Sequence, residues 1–255
     1  MVRPKKYLGQ HFLRNDAICK QVAEYLQHHR GYSELLEIGP GTGALTKHLL
    51  NDKRFELSVV EVDLESADYL KLNFPQLKKI IVRNFLKLDL ANFFACQQIG
   101  IAGNFPYNIS SQILFHVLEH RNYVTEVVGM FQREVAMRIA GSAGTKEYGI
   151  LSVLVQAFYK VEYLMTVEPH EFFPPPNVKS GLLRLTRNDV IELPCDEKKF
   201  FMVVKMAFNQ RRKTLRNSLS AMLTVRVDKS LPIFTMRREQ LSVDQFIQLT
   251  LLLSE

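Results

Sequence analysis

The chain has 255 residues, 47% of them hydrophobic, with a net charge of +7 and a pI near 9.3. That is enough for one large α/β domain plus a small second unit; no apolar stretch is long enough to cross a bilayer, and no apolar region follows the basic amino terminus as a signal peptide would require. Cys19, Cys96 and Cys195 are scattered and odd in number, and the seven histidines show no metal-ligand spacing, His28 and His29 being adjacent, so neither a disulfide frame nor any metal is expected and reduced cytoplasmic thiols are.

A basic lead opens the chain, with Arg3, Lys5, Lys6 and Arg14 and no acid in the first 15 residues. Asp16 to Gln27 then reads as a helix, with Asn15 or Asp16 as its cap. Leu35 to Ile38 reads as a short buried strand, Gly39-Pro40-Gly41-Thr42-Gly43 as a glycine loop, and Ala44 to Leu50 as helical. Strand, glycine loop and helix together let the backbone come close to a bound ligand. The loop departs from G-x-G-x-x-G, and Pro40 removes a backbone donor, so a pyrophosphate suits it poorly. A ligand without phosphates, such as S-adenosylmethionine, suits it better. Alone the loop would read equally well as a structural turn. The next apolar run, Leu57 to Val60, delivers Glu61 about 20 residues after the glycines, where doubly wound folds place a carboxylate on ribose hydroxyls.

Further apolar runs at 80–82, 99–102 and 124–131 alternate with helical segments, and this order predicts a parallel sheet with helices on both faces. The fourth run, Ile99 to Gly103, ends in Asn104-Phe105-Pro106-Tyr107, beyond the carboxyl end of its strand and beside the glycine loop of the first. That tetrapeptide also makes a plain turn. Its placement beside Glu61 and the loop favours chemistry on an exocyclic amine of a flat base. The Asn104 amide oxygen and the Pro106 carbonyl would accept the amine's N–H bonds, leaving its lone pair aimed at an activated methyl. Tyr107 would stack on a base drawn out of its helix or loop. No strong general base is required, since positioning supplies most of the acceleration.

Gln132 to Ala140 reads as a helix broken by Ser142 to Thr145, and Tyr148 to Phe158 as a buried segment compatible with helix or strand. Phe172 to Asn177 carries three consecutive prolines and reads as a stiff extended surface segment, followed by one more strand over Gly181 to Arg187. From Asp196 the pattern is helical, with Phe208, Leu215, Leu219 and Met222 on one face and Asn209, Lys213, Arg216 and Ser220 on another. Residues 198–226 hold eight Lys or Arg and no acid, which suggests, with the basic lead, a polyanion gripped from two sides. The pattern is interrupted near 188–195, so a boundary is expected between residues 1–190 and 191–255.

These motifs resemble those of the ribosomal RNA adenine N6,N6-dimethyltransferases, the kasugamycin-resistance family of small-subunit RNA methylases. Lys6 to Leu13 resembles the family's opening segment, Glu37 to Gly43 its cofactor loop, and Asn104 to Ser110 its catalytic motif. Phe172 to Val178 resembles its proline-rich loop, and Ala207 to Leu219 its helical-domain motif. The similarity runs from about residue 5 to the end.

The resemblance implies an α/β fold: a Rossmann-like S-adenosylmethionine-dependent methyltransferase domain over 1–190 and a small all-helical RNA-binding domain over 191–255. It implies transfer of two methyl groups to N6 of each of two adjacent adenosines in the 3′-terminal hairpin of 16S small-subunit ribosomal RNA. The expected partner is that RNA in a 30S ribosomal precursor, and the expected enzyme is a cytoplasmic monomer. Carried over residue by residue, His11 and Leu13 close the cofactor pocket, and Gly39 and Gly41 belong to the cofactor loop, with Gly39 on the methionine part. Glu61 takes the ribose and Asn84 the cofactor's adenine amine. Asn104 serves cofactor and target, and Pro106 supplies its carbonyl. Tyr107 and Phe172 sandwich the target adenine, with Phe173 the alternative to Phe172. Arg211, Arg212, Lys213 and Arg216 contact RNA. His11 stands where the family often has Asn, and both hydrogen-bond. Asn84 stands where an Asp is usual, which keeps an acceptor and loses a charge, so a weaker cofactor site is expected. Asp89 nearby reads as a contact or as a cap. Two other readings remain: the related large-subunit methylase of antibiotic resistance, and an assembly factor acting mainly by binding.

Overall fold

The computed structural model describes residues 2–210, 212–224 and 226–254. In chain order it opens with β1 (Phe12–Leu13), α1 (Asp16–Glu24), β2 (Glu34–Ile38), α2 (Thr46–Leu49), β3 (Glu56–Glu61), α3 (Leu64–Asn73) and β4 (Lys79–Val82). There follow α4 (Leu90–Phe93), β5 (Ile99–Asn104), α5 (Ser110–Glu119), β6 (Val124–Gln132), α6 (Arg133–Ala140) and α7 (Ile150–Gln156). The rest comprises β7 (Tyr159–Val167), β8 (Phe172–Phe173), β9 (Ser180–Arg187), α8 (Glu197–Asn209), α9 (Leu215–Ser218) and α10 (Val243–Leu252). Two compact units result, one of residues 1–136 and 160–187, the other of 137–159 and 188–255. The chain crosses between them at 136–137, 159–160 and 187–188. The segment 137–159, which sequence reading left with the first part, lies in the second.

The first unit carries a seven-stranded sheet in the order β4-β3-β2-β5-β6-β9-β7. Strands β2 to β6 pair in parallel, as the β-α-β alternation predicts. The expectation of a parallel sheet throughout is corrected at β9, which runs antiparallel to β6 with Phe131 opposite Gly181. Half-exposed β7 stands at the edge, and its mixed burial left no alternating signal to read. Strand β6 is buried from Val124 to Phe131, the near-continuous apolar run of a strand covered on both faces. Within it Glu126, fully buried, accepts from Gln27 N at 2.9 Å, His29 N at 3.2 Å and Tyr32 Oη at 3.0 Å. Three donors satisfy that carboxylate and tie the segment between α1 and β2 to the sheet.

Strand β2 has β3 on one side and β5 on the other, with Glu37 opposite both Val59 and Ala102. The strand order therefore reverses between β2 and β5, and a crevice opens beyond their carboxyl ends. Phe105, just past β5, is 1% exposed and packs edge-on against Phe131 at 5.2 Å between centroids. A Cβ on Gly129 of β6 would stand 2.1 Å from the Phe105 ring, so only glycine lets that ring lie flat on the sheet.

In the second unit the ambiguous segment resolves as helix α7, whose Ser152 hydroxyl accepts from Gly149 N at 2.8 Å. The single helical face expected from Phe208 to Met222 is corrected. Helix α8 ends at Asn209, Gln210 leaves helical geometry (φ −112°, ψ 85°), and α9 is one turn long. The sorting of side chains survives the break: Leu215 and Leu219 are buried, whereas Lys213 and Arg216 are exposed. No helix among the described residues is long and apolar enough to cross a membrane.

Gly129→Ala is expected to destabilise the protein by about 1–3 kcal/mol through overpacking against Phe105. Urea unfolding would show this as a lower midpoint with an unchanged slope.

Candidate active site

The loops that leave the carboxyl ends of β2, β3, β4 and β5, together with the Leu8–Phe12 lead, line one cleft. Gly39 (φ +67°) and Gly41 (φ +56°) turn the chain sharply after β2. A Cβ on Gly41 would come within 2.7 Å of the Phe12 ring, so the lead can close over the loop only if that position is glycine. Gly41 N donates to Glu61 Oε2 at 3.2 Å and Asp63 N donates to Glu61 Oε1 at 2.9 Å. Glu61 thus bridges two loops while 3% exposed, and burial raises its pKa above the ordinary carboxylate value.

Glu37 lies 1% exposed on β2 and accepts from the Thr46 hydroxyl at 2.7 Å. Burial first, with the charge of Glu61 adding to it, pushes the Glu37 carboxyl up to about 8. Asp63, ion-paired with Lys5, fastens the basic lead beside the cleft and accepts from Ser66 Oγ at 2.8 Å. Among these three acids only Glu61 lines the cleft itself, and it makes the floor a hydrogen-bond acceptor. It suits hydroxyl donors and positive charge, and it opposes a phosphate.

Asn104 donates through Nδ2 to the His11 carbonyl at 2.7 Å, which leaves its amide oxygen as the free acceptor at the cleft. The Pro106 carbonyl already accepts from Ile109 N at 3.1 Å, so one of its lone pairs remains. The Tyr107 hydroxyl hydrogen-bonds Ser180, and its ring stacks on His11 with centroids 5.6 Å apart and 27° between planes. His11 Nδ1–H donates to the Pro174 carbonyl at 2.7 Å.

The structure brings His11, Gly39, Gly41, Glu61, Asn84, Asn104, Pro106 and Tyr107 to this one cleft. It does not bring Leu13 or Phe172, which are 6% and 2% exposed in the hydrophobic core. These two face each other in the antiparallel β1–β8 pair, and the neighbouring pair, Phe12 opposite Phe173, points the other way. Phe173 is 47% exposed, with the Arg14 guanidinium 4.4 Å from its ring centroid. Asn84 Oδ1 accepts from Leu86 N at 3.0 Å, capping a short turn, so one acceptor lone pair is in use. Asp89 is a cap, its Oδ1 accepting from Asn92 N at 3.1 Å at the start of α4. Arg212, Lys213 and Arg216 are exposed in the second unit, and Arg211 lies outside the described residues.

Sequence reading missed Val62 and Phe85 on the cleft wall and Ser180 behind Tyr107, and it placed Asn108 in the catalytic motif without giving it a role. Val62, 51% exposed, follows Glu61 directly in the chain, and that adjacency was the signal the sequence offered. Nothing local marks Ser180. The expectation of no metal spacing is also corrected: His116 and His120 stand at i and i+4 at the end of α5, with Glu119 beside them.

The family of ribosomal RNA adenine dimethylases matches the chain over residues 1–254. A protein of Cytophaga hutchinsonii described as ribosomal RNA small subunit methyltransferase A is 54% identical, over 99% of this chain and 98% of its own length. Its namesake in Flavobacterium johnsoniae is 55% identical, over 98% of this chain and 95% of its own. Among solved structures, a dimethyladenosine transferase from Plasmodium falciparum superposes with a TM-score of 0.80 at 24% identity, covering 96% of this chain and 97% of that one. The 23S ribosomal RNA methyltransferase ErmE superposes at 0.70 and 23% identity, covering 96% and 100%. At those identities the two structures speak for the fold.

Because the folded-state pKa of Glu37 lies well above the ordinary 4.5, the folded protein holds this proton more tightly than the unfolded chain. The stability it contributes is complete below about pH 4.5 and is lost as pH rises toward 8. Glu37→Gln keeps an acceptor for Thr46 and removes the titration. It is expected to flatten the fall in unfolding free energy across that window and to raise stability at pH 7 by on the order of 1 kcal/mol or more, read from urea midpoints at several pH values.

Proposed function

The chain belongs to the ribosomal RNA adenine dimethylase family, and we propose that it transfers methyl groups from S-adenosylmethionine to N6 of two adjacent adenosines in the 3′-terminal hairpin of 16S small-subunit ribosomal RNA, giving N6,N6-dimethyladenosines. It is a ribosomal RNA methyltransferase, and its substrate in this reading is the RNA of a 30S precursor, met in the cytoplasm by a monomeric enzyme. The observation that carries the reading is the convergence of Glu61 and the glycine loop with Asn104, Pro106 and Tyr107 at one cleft.

The cleft suits that cofactor. Buried Glu61 opposes phosphates and favours a sulfonium, while Glu37, its carboxyl pushed up to about 8, stands behind the loop largely protonated at pH 7. Glu61 would accept from ribose hydroxyls with the lone pairs its two backbone donors leave, Gly39 and Gly41 would border the methionine part, and His11 would close the pocket. Asn84 would accept from the adenine amine, with Val62 and Phe85 as apolar walls. When bound, S-adenosylmethionine supplies an electrophilic methyl group.

The protein's own work is positioning. Asn104, its Nδ2 fixed on the His11 carbonyl, presents an amide oxygen to the target N6–H. The remaining lone pair of the Pro106 carbonyl takes the second N–H. With both protons held, the nitrogen lone pair leaves the plane of the ring and faces the methyl group. Tyr107 stacks on the unpaired base, its ring held by Ser180. On the proline-rich segment Phe173 rather than Phe172 is the ring exposed for a base, so the second stacking role passes to it. The nitrogen releases its proton after methyl transfer, so no buried general base is needed. The exposed Arg212, Lys213 and Arg216 would grip the RNA backbone, with Arg211 beside them in sequence. Identities above 50% to small-subunit methyltransferases favour this substrate over the large-subunit one.

Mass spectrometry of the hairpin, after incubation of unmethylated small subunits with enzyme and cofactor, should show four added methyl groups; methylation confined to large-subunit RNA would overturn the reading. Asn104→Ala should cut methylation by on the order of 10²-fold or more while leaving subunit binding in a filter assay nearly unchanged. The combined Arg212→Glu, Lys213→Glu and Arg216→Glu variant should weaken RNA binding most at low salt and lower the slope of log K against log salt by about 2. An unchanged slope would remove this patch from the footprint.

A further inference from the structure

We propose that His116, Glu119, His120 and Asp89 form a binding site for a borderline divalent transition cation of the Zn²⁺ class. The two histidines lie at i and i+4, and their rings stand 4.4 Å apart between centroids. Each ring already spends one nitrogen on a backbone carbonyl: His116 Nε2–H donates to Leu88 O at 2.8 Å, and His120 Nδ1–H to His116 O at 3.0 Å. Those bonds fix both tautomers. The lone pairs then belong to His116 Nδ1 and His120 Nε2, and these are the two atoms that face carboxylates. His116 Nδ1 is 3.7 Å from Glu119 Oε2, and His120 Nε2 is 4.0 Å from Asp89 Oδ1.

Ligand atoms of His116, Glu119 and His120 all lie within 4.8 Å of one another. A tetrahedral shell with bonds of ~2.0–2.1 Å has edges of about 3.4 Å, so closing on a cation asks for roughly 1 Å of side-chain movement. The Glu119 carboxylate is well exposed and supplies most of it, whereas Asp89, which caps α4 through Oδ1 and accepts from Asn92 Nδ2 through Oδ2 at 2.6 Å, would join with the lone pairs those bonds leave. A metal-bound imidazole ordinarily donates its second N–H to a carbonyl or carboxylate, and both rings here are held in that way before any cation arrives. Two imidazoles with two carboxylates and no thiolate suit Zn²⁺ and its neighbours better than Mg²⁺ or Ca²⁺. The bound cation would tie the end of α5 to the cap of α4. It would also brace Phe85, whose ring meets His116 edge-on at 4.9 Å and whose other side lines the cleft. The site stands apart from the reacting atoms and does not depend on the methyl-transfer reading.

Titrating the metal-free full-length protein with ZnCl₂ against a chromophoric chelator, with excess Mg²⁺ present, tests this. The expected result is one Zn²⁺ per chain, bound at least tenfold more weakly by His120→Ala and several-fold more weakly by Glu119→Gln. His170→Ala and Cys96→Ser, at an exposed histidine and an exposed thiol outside the set, should bind as the parent does. X-ray absorption should report two imidazole nitrogens. Absence of saturable binding, undiminished binding by His120→Ala, or loss in Cys96→Ser instead would overturn the proposal. Should circular dichroism show His120→Ala misfolded, Glu119→Gln, altered at an exposed side chain, decides alone.

Discussion

The reversal of strand order between β2 and β5 is the constraint on which the rest depends. Both strands run parallel and in register, so the loops that follow them emerge side by side: Gly39 after one, Asn104 to Pro106 after the other. A Cβ built on Gly39 would stand 3.8 Å from the Pro106 ring, ordinary van der Waals contact. No side chain has to reach across a gap for the two loops to share a ligand. The sheet imposes this proximity through a ladder of backbone hydrogen bonds between largely buried strands, which resists local opening.

The stiffness is combined with an electrostatic cost. Two carboxylates, Glu37 and Glu61, are buried behind the loop, where desolvation raises both. A structure optimised for stability alone would place neutral groups there. Glu61 is held by backbone donors from two loops, so its charge also sets the loop geometry, and replacing it would disturb the fold and the site together. Positioning is thus the chemistry this cleft offers. Its groups are acceptors and a flat ring, fixed before any ligand arrives.

Sequence alone exposed the sheet-built half of this site and obscured the other. Gly39, Gly41, Glu61 and Asn104 sit at the ends of strands of five or six residues, whose short apolar runs give a strong local signal, and the fold class supplies the neighbours. Phe172 and Phe173 sit on a two-residue strand, too short for alternation to say which ring faces inward. Only the pairing with Phe12 and Leu13, some 160 residues away in sequence, decides it. The break after Asn209 is likewise non-local. Leu215 N donates to the Met236 carbonyl at 2.9 Å, a tertiary bond that competes with continuing the helix and that helical periodicity cannot register. His116 and His120 have helical metal spacing in plain view, but the spacing alone says nothing of which nitrogens are free, and that depends on the Leu88 carbonyl from a different element.

The half of the cleft that would meet a base is built differently from the half that would meet a cofactor. Three segments remote in sequence converge there, and single hydrogen bonds join them: Asn104 to the His11 carbonyl, His11 to the Pro174 carbonyl, and Tyr107 to Ser180. Each such bond is worth roughly 1 kcal/mol net, against the cooperative ladder that holds β2 to β5. The two halves therefore differ in compliance by construction. A nucleotide drawn from an RNA loop has to be admitted, flattened against Tyr107 and released, and the compliant half can yield to it at small cost. The methyl donor needs an unmoving reference, and the ladder provides one. Asn104 belongs to both halves, being the last residue of β5 and the first link of the hydrogen-bonded chain, and this is why a single amide can register one reactant against the other.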